Sequence, residues 1–374
     1  MNSLINIFTI KIEEIFSKSK LPKKIAVALS GGADSMALTM LLEEFCLMKN
    51  IELLAVTVDH KMRKNSSKEA QKLGEILKKK KISHKILVID EKKIPEKNIE
   101  AKLREARYEM LYEFCLKNKI QYLFLGHQLD DVAENFLIRL FRGSGLDGLS
   151  TIAELSNFKK IKLVRPLLKL EKNALKDFLN AKKVKWFEDE SNKDEKFLRN
   201  KIRNFFESFE EKNLIQNRIK NASDEIAKMR DFIDDVMLRE AAKILYFEEL
   251  GSFLIDRKKF AKIPLEIALK ILALVLMEVS GKIYKPRLEQ LKNFYGYMFS
   301  EKKIKPRNFY GCMMKQKDSF LVIEREEAAV NLENIVKFDE KYFLVDGRFL
   351  TKNPKNVKSF KFHFRTALKI LFVG

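Results

Sequence analysis

Residues 25–35 constrain the fold of this chain more than any other segment. An apolar run, Ile25–Leu29, leads directly into Ser30, Gly31 and Gly32, and a helical pattern opens at Ala33. Glycines at a strand-to-helix turn let backbone N–H groups approach an anion, and the N-terminus of the helix adds a partial positive charge. The segment therefore predicts a phosphate-binding turn in an α/β sheet, with an ordinary Gly-Gly turn as the alternative.

The turn differs from the common phosphate-binding loops. No lysine follows Gly32, and the two glycines are adjacent, so neither G-x-x-x-x-G-K-[ST] nor G-x-G-x-x-G is present here. Hydroxyl donors flank the turn, and the carboxylate of Asp34 is suited to holding a cation beside a phosphate. The predicted phosphate-binding residues of this turn are Ser30, Gly31, Gly32, Ala33, Asp34 and Ser35.

Strand and helix patterns alternate from residue 23 to about 166, which favours a doubly wound parallel sheet. The predicted strands are Ile25–Leu29, Leu53–Asp59, Ile86–Ile89 and Tyr122–Gly126, with an edge strand at Val164–Pro166. Ligands of such sheets bind at the carboxyl ends of the strands. We therefore expect the turn, the adenosine-contacting candidates Asp59 and His60, and residues 126–131 to surround one crevice.

Beyond residue 166 the pattern becomes mainly helical and then changes to short apolar runs. We expect an N-terminal catalytic domain at 1–210, a helical domain at 211–305 and a small α+β module at 306–374. The predicted helices are Glu171–Ala181, Phe197–Phe209, about Asn213–Tyr246, Pro264–Val279 and Arg287–Met298. The predicted strands are Phe320–Ile323 and Tyr342–Val345.

The chain has 374 residues, a formal net charge of +21 and a pI near 9.6. This surplus indicates a polyanionic partner such as nucleic acid, although a compositional bias toward lysine is the alternative. No apolar run approaches the ~20 residues that a spanning helix needs, and we expect a cytoplasmic protein. Three scattered cysteines without a C-x-x-C pair argue against disulfides and a structural zinc site: Cys46, Cys115 and Cys312.

Acidic residues and a histidine follow the fourth predicted strand. They are His127, Asp130, Asp131 and Glu134. Capping of the next helix by Asp131 is the structural alternative, but three acids exceed what capping needs. Such carboxylates are suited to binding Mg²⁺ and the ammonium groups of an amino-acid substrate. We predict Asp34 and Asp130 as metal ligands.

Basic residues cluster at three further places. Arg104 and Arg107 share neighbouring faces of a predicted helix, where they are suited to stabilising a reacting phosphoryl group, with a Glu100–Arg104 ion pair as the alternative. Arg142 opens a glycine-rich loop over 142–149. Contacts to RNA are predicted for Arg104, Arg142, Arg199, Asn200 and Arg203, with solvated surface charge as the alternative for the last three.

Taken in order, these segments resemble the motifs of the tRNA(Ile)-lysidine synthetase family, within the N-type ATP pyrophosphatases. The matching motifs are Ser-Gly-Gly-x-Asp-Ser at 30–35, Val-Asp-His-x-x-Arg at 58–63, Ala-Arg-Tyr at 106–108, Gly-His-x-x-Asp-Asp-x-x-Glu at 126–134, Arg-Gly-Ser-Gly-x-x-Gly-Leu at 142–149, Arg-Pro-Leu at 165–167, Asp-x-Ser-Asn at 189–192 and Arg-Asn-x-Ile-Arg at 199–203. Lys61 and Asn135 depart from the family pattern, which often has glycine and threonine there.

The resemblance implies an ATP- and Mg²⁺-dependent ligase that joins free L-lysine to C2 of the first anticodon cytidine of a tRNA(Ile) with a CAU anticodon. It implies an adenylated cytidine intermediate and release of AMP and pyrophosphate. The implied catalytic residues are Asp34, Arg107, His127, Asp130, Asp131 and Glu134, and Asp131 and Glu134 are the implied lysine-binding residues.

Two other classes stay open at this stage. One is a thiolating relative within the same superfamily, which usually needs paired or catalytic cysteines near the site. The other is a non-catalytic RNA-binding protein with a decayed nucleotide fold, which would be expected to have lost acids or glycines. The sequence leaves the oligomeric state open, including a homodimer.

Overall fold

The computed structural model describes residues 2–17, 19–59, 66–89, 99–150, 152–187, 198–248, 251–282 and 284–329, and beyond them 335–337, 343–346, 349–351 and 361–362. The chain forms two compact units, Met1–Lys228 and Met229–Gly374. The division into three domains at residues 210 and 305 stays a prediction. Among the predicted site residues, His60 lies outside the described part of the chain, as does the motif at 189–192.

The first unit is built on a six-stranded sheet. Its strands are β1 (Lys24–Ala28), β2 (Glu52–Asp59), β3 (Ser83–Val88), β4 (Tyr122–Leu125), β5 (Leu155–Phe158) and β6 (Ile161–Val164). They lie in the order β3-β2-β1-β4-β6-β5. All pairs are parallel except β5 with β6. The expectation of a doubly wound parallel sheet is confirmed.

One predicted strand was wrong in detail. The edge strand expected at Val164–Pro166 is β6, which ends at Val164 and lies inside the sheet. Its antiparallel hairpin partner β5 takes the edge, with Leu155 opposite Val164. The residues of β5 alternate between exposed and half-buried positions. They therefore lack the apolar run that marks a buried strand in a sequence.

Helices cover both faces of this sheet, because alternate residues of a strand point to opposite sides. They are α1 (Asn2–Phe16), α2 (Ala33–Lys49), α3 (Ser66–Lys79), α4 (Ile99–Lys117), α5 (Leu129–Phe141), α6 (Leu146–Leu149), α7 (Lys172–Ala181) and α8 (Leu198–Glu207). In β1, Ile25 and Val27 pack with residues of α1, α2 and α7, whereas Ala26 and Ala28 pack with residues of α4. The strand is thus buried on both faces.

A long helix, α9 (Lys212–Ile244), begins in the first unit and ends in the second. The remaining helices are α10 (Arg257–Phe260), α11 (Leu265–Ser280) and α12 (Leu288–Phe299). The strands are β7 (Leu245–Phe247), β8 (Phe253–Asp256), β9 (Arg307–Phe309), β10 (Cys312–Lys317), β11 (Phe320–Arg325), β12 (Ile335–Lys337), β13 (Phe343–Val345), β14 (Phe349–Thr351) and β15 (Lys361–Phe362).

These strands form a sheet of order β7-β8-β11-β10-β9 and another of order β12-β13-β14-β15. The helical region with a terminal α+β module is thereby confirmed. The helix expected to reach Tyr246 ends at Ile244, and residues 245–247 instead pair with β8. Within the described residues, no helix has the length and apolar character needed to cross a membrane.

Candidate active site

The adjacent-glycine turn connects β1 to α2 and is held by its own hydroxyl groups. Ser35 Oγ donates to the Gly32 carbonyl at 3.0 Å and accepts from the Ser30 N–H at 3.2 Å. The two serine Oγ atoms lie 3.0 Å apart. Gly31 has φ of +88°, a backbone conformation that favours glycine. Gly32, the N-cap residue, has no side chain to cap the helix, so the N-terminus of α2 is suited to an anion.

Gly126 brings the carboxyl end of β4 against this turn. A Cβ on Gly126 would stand 3.0 Å from the Cα of Ser35 and 3.1 Å from its nitrogen. These are backbone atoms, which cannot move aside as a flexible side chain would. The glycine therefore allows the residues that follow it, including His127, to lie beside the phosphate-binding turn. Asp59 lies at the carboxyl end of β2, which is the strand next to β1, and it is 4% exposed.

Asp130 and Asp131 occupy the first turn of α5. The helix begins three positions earlier than a cap at Asp131 would require, because Gln128 is the N-cap. Gln128 Oε1 accepts from the Asp130 N–H at 2.7 Å, and Asp131 Oδ2 accepts from the Gln128 N–H at 3.1 Å. This reciprocal capping box fixes Asp131 in place and leaves its other oxygen for a different partner.

That partner comes from α8. Arg199 Nη2 donates to Asp131 Oδ1 at 2.5 Å, and Arg199 Nε donates to Glu134 Oε2 at 2.5 Å. Arg203 Nε donates to the second oxygen of Glu134 at 2.6 Å. Glu134 is 2% exposed and Asn200 is buried as well. The predicted lysine-binding acids and the predicted RNA-binding residues of α8 therefore lie together, joined by ion pairs.

Asp34 lies close to both acids of α5. Burial, together with the charges of Asp131 and Asp130, raises its pKa to about 6, and Lys172 and Lys176 act in the opposite direction. Within the described residues, the buried Asp34 Oδ1 has no hydrogen-bond partner. A carboxylate oxygen without a partner, beside other carboxylates, is the kind of donor that Mg²⁺ takes. Asp34 and Asp130 therefore fit the predicted metal site, although no group of three or more acidic, histidine or cysteine side chains in the described chain forms a ready metal cage.

His127 lies among arginines. Burial, together with the charges of Arg165, Arg104, Arg107 and Arg199, lowers its pKa to about 3. The imidazole is therefore neutral at physiological pH, and its buried Nδ1 has no partner in the described residues. Arg104 stacks over the ring of Tyr108 at 5.4 Å. Arg107 has its pKa lowered by burial and by Arg104.

Most predicted site residues of the first unit thus meet at the carboxyl edge of the sheet. Arg142 is exposed at the C-terminal end of α5, next to the glycine-rich loop. Arg165 was not among the predicted site residues, although it opens the Arg-Pro-Leu motif. Burial and proximity to His127, which only the fold reveals, make it part of this cluster.

The phosphate-binding turn, the carboxylate pair beside it and the arginines around His127 are suited to a nucleotide triphosphate and a second, cationic substrate at one edge of the sheet. Fold and site together define a nucleotide-binding α/β protein of the PP-loop class.

Comparison with known proteins places the chain within that class. A family model described as a PP-loop domain matches residues 4–208, which is more than half of the chain. A tRNA(Ile)-lysidine synthase of Wolbachia pipientis wMel is 33% identical over 281 residues, covering 72% of this chain and 62% of that protein. The enzyme of the same name from Rickettsia prowazekii (strain Madrid E) is 31% identical over 334 residues, covering 89% of this chain and 76% of that protein. The chain belongs to the tRNA(Ile)-lysidine synthase family of PP-loop proteins.

The match spans about 62% of the length of the first of these relatives. Among solved structures, the U34-tRNA thiolase NcsA from Methanococcus maripaludis with its [4Fe-4S] cluster has a TM-score of 0.50 and 21% sequence identity. The likeness covers 60% of this chain and 78% of that one, and it concerns the fold alone.

Proposed function

We propose that this chain ligates L-lysine to C2 of the first anticodon cytidine of a tRNA(Ile) with a CAU anticodon, using ATP. The observation that carries the proposal is the proximity of Asp34, in the phosphate-binding turn, to the acids Asp130 and Asp131 of α5. This proximity supports a nucleotide site that adjoins a site suited to a cationic amino acid. Family membership and the match to the lysidine synthases support the same reaction.

In this proposal the turn binds the triphosphate. Backbone N–H groups of the turn and of the first turn of α2 would hold the β- and γ-phosphates, helped by the serine hydroxyls. The residues with this role are Ser30, Gly31, Gly32, Ala33 and Ser35, and Asp59 and His60 would contact the adenosine. Asp34 and Asp130 would hold Mg²⁺, which when bound offsets negative charge on the phosphates.

The proposed reaction has two steps. The cytidine 2-carbonyl oxygen attacks the α-phosphorus, the bond to the β-phosphate oxygen breaks, and pyrophosphate leaves. The ε-ammonium of lysine then loses a proton to a carboxylate of the site, the neutral amine attacks C2, the C2–oxygen bond breaks, and AMP leaves. Arg107 would offset the negative charge that builds up at the α-phosphate during the first step. His127, neutral at physiological pH, would position or relay a proton without adding charge.

Lysine recognition is assigned to Asp131 and Glu134. Both oxygens of Glu134 accept from arginines, so contact with an ammonium group would require Glu134 to exchange or share these partners. Both oxygens of Asp131 are also engaged, because one accepts from the Gln128 N–H of the helix cap and the other accepts from Arg199. Binding of lysine is therefore expected to loosen the link between α5 and α8.

For the tRNA, we propose contacts from Arg104, Arg142, Arg199, Asn200 and Arg203. The net charge of +21 supports an extended, salt-sensitive interaction with RNA. Arg142 is exposed and therefore accessible to a phosphate, whereas Asn200 is buried and would act by placing its neighbours.

Thiolation of a tRNA base has no support from the cysteines. All three are buried. Burial raises the pKa of Cys46 to about 12 and that of Cys115 to about 12, so neither thiol is suited to form a reactive thiolate.

The test is incubation of the purified chain with ATP, Mg²⁺, bacterial tRNA and labelled lysine, followed by analysis of the nucleosides. We expect lysine covalently attached to a cytidine and pyrophosphate release that requires tRNA. Asp34→Ala should abolish pyrophosphate release while tRNA binding persists. Release that is independent of tRNA, or incorporation of sulfur instead of lysine, would contradict the proposal.

A further inference from the structure

Arg165 is a buried arginine at the carboxyl edge of the first sheet. It directly follows β6, and it is 8% exposed. Phe124 of β4 is in register with Val164 of β6, so Arg165 lies beside the end of β4, where the chain continues to His127. Ligands of open α/β sheets bind at this edge.

The guanidinium of Arg165 is held in place by hydrogen bonds, one of which is to the side chain of Tyr108. Its Nη1 donates to the Ala153 carbonyl at 3.0 Å and to Ser156 Oγ at 2.9 Å. Its Nε is buried and has no hydrogen-bond partner among the described residues. These hydrogen bonds fix the orientation of the planar guanidinium, and its Nε–H can still donate to a ligand.

The positive charge of Arg165 also lacks a counter-charge. Within the described residues, no carboxylate forms an ion pair with it, whereas Arg199 and Arg203 are both paired with acids. Burial lowers the pKa of Arg165, Tyr108 acts in the opposite direction, and Arg104 lowers the pKa further. A buried cation without an ion-pair partner costs free energy that an anionic ligand would recover.

We propose that Arg165 binds an oxyanion of a substrate through its free Nε, in the cluster that it forms with His127 and Arg107. This inference rests on the proposed function, which supplies two oxyanions: the α-phosphate of ATP and the carboxylate of free lysine. Both accept hydrogen bonds from a guanidinium in a fixed geometry, which an ammonium cannot reproduce. Because His127 is neutral, it adds no positive charge to the cluster. A bound oxyanion would balance the positive charge of the arginines.

The test measures ligand binding by the full chain, with the fluorescence of its single tryptophan, Trp186, as the signal. Trp186 precedes Phe187, whose N–H donates to the Gly31 carbonyl of the phosphate-binding turn at 2.9 Å. The variants are Arg165→Met and Arg165→Lys. Arg139→Met is the matched control, because Arg139 also donates to a backbone carbonyl, that of Gly148 at 2.8 Å, but does not act on His127.

The ligands come in pairs that differ by the oxyanion: AMP against adenosine, and lysine against 1,5-diaminopentane. If Arg165 binds the α-phosphate, both variants bind AMP about ten- to a hundredfold more weakly and adenosine unchanged. If it binds the carboxylate, the same loss falls on lysine and spares 1,5-diaminopentane. The control variant binds all four ligands as the unmodified chain does.

Folded variants that bind AMP and lysine as tightly as the unmodified chain would overturn the proposal. Failure of both variants to fold, judged by circular dichroism, would assign Arg165 to the fold alone and overturn it too. Lysine transfer to tRNA by the unmodified chain is measured separately. Absence of that transfer with a persistent AMP–adenosine difference would reject the proposed function and keep the oxyanion site.

Discussion

Arg199 donates through Nε to Glu134 at 2.5 Å, although the two residues are 65 positions apart in the sequence. The same guanidinium reaches Asp131 through Nη2, and Arg203 takes the remaining oxygen of Glu134. Two arginines of α8 thus neutralise acids on the inner side of α5. The acids beside the phosphate-binding turn are consequently held at a defined distance from Asp34 before any substrate binds.

Replacing Glu134 is expected to destabilise the fold, because it removes the partner of two arginines at once. Glu134→Gln should lower the free energy of unfolding by about 2 kcal/mol, less than for a fully buried pair because the arginine side chains are partly exposed. Urea denaturation measures the change. The control is Glu105→Gln, which breaks an exposed pair with Lys102 and should cost less than about 0.5 kcal/mol. Equal losses in the two variants would contradict a structural role for Glu134.

Gly126→Ala tests the close approach of β4 to the turn. The new Cβ would lie 3.0 Å from the backbone Cα of Ser35, so either the turn or the strand end must shift. We expect a loss of about 1 to 3 kcal/mol in the free energy of unfolding, together with weaker ATP binding. Gly145→Ala is the matched change, because a Cβ there meets nothing within 4 Å. The idea fails if Gly126→Ala binds ATP with unchanged affinity.

His127 predicts a dependence of stability on pH. Its pKa is about 3 in the folded chain, below the ~6.5 of an unfolded histidine. The unfolded chain therefore takes up a proton first, and the stability that neutral His127 contributes is present above about pH 6.5 and lost as the pH falls toward 3. His127→Gln should reduce the loss of stability between pH 7.5 and pH 5 by about 1 to 2 kcal/mol. Urea titrations at both pH values measure this difference, and parallel losses in the two proteins would refute it.

Much of the first unit could be predicted from sequence because its signals are local. The apolar run of β1, the adjacent glycines and the helical period of α2 lie within a few residues of one another. The carboxyl-edge rule for α/β sheets then predicts that His127, Asp130 and Asp131 lie beside the turn.

What could not be predicted depends on contacts between distant segments. The pairing of α8 with α5 joins residues 65 positions or more apart, and no local pattern distinguishes a paired arginine from an RNA-facing one. Arg165 belongs to a recognisable motif, but nothing in the sequence indicates that its side chain is buried. Residues 245–247 continue the apolar pattern of α9, yet pairing with β8 makes them a strand, because tertiary pairing outweighs local propensity.

Exposed Arg142 and paired Arg203 are expected to differ in their contribution to RNA binding. Each phosphate that a cation neutralises releases counterions, so removing one such contact lowers the slope of log affinity against log salt by roughly 1. Arg142→Gln should show this full change, because its side chain is exposed. Arg203→Gln should show less, since Glu134 already offsets part of its charge at 2.6 Å. Fluorescence anisotropy of labelled tRNA at several KCl concentrations measures both slopes, with Glu105→Gln as a control that changes neither. A larger slope change for Arg203 than for Arg142 would show that the ion pair opens when RNA binds.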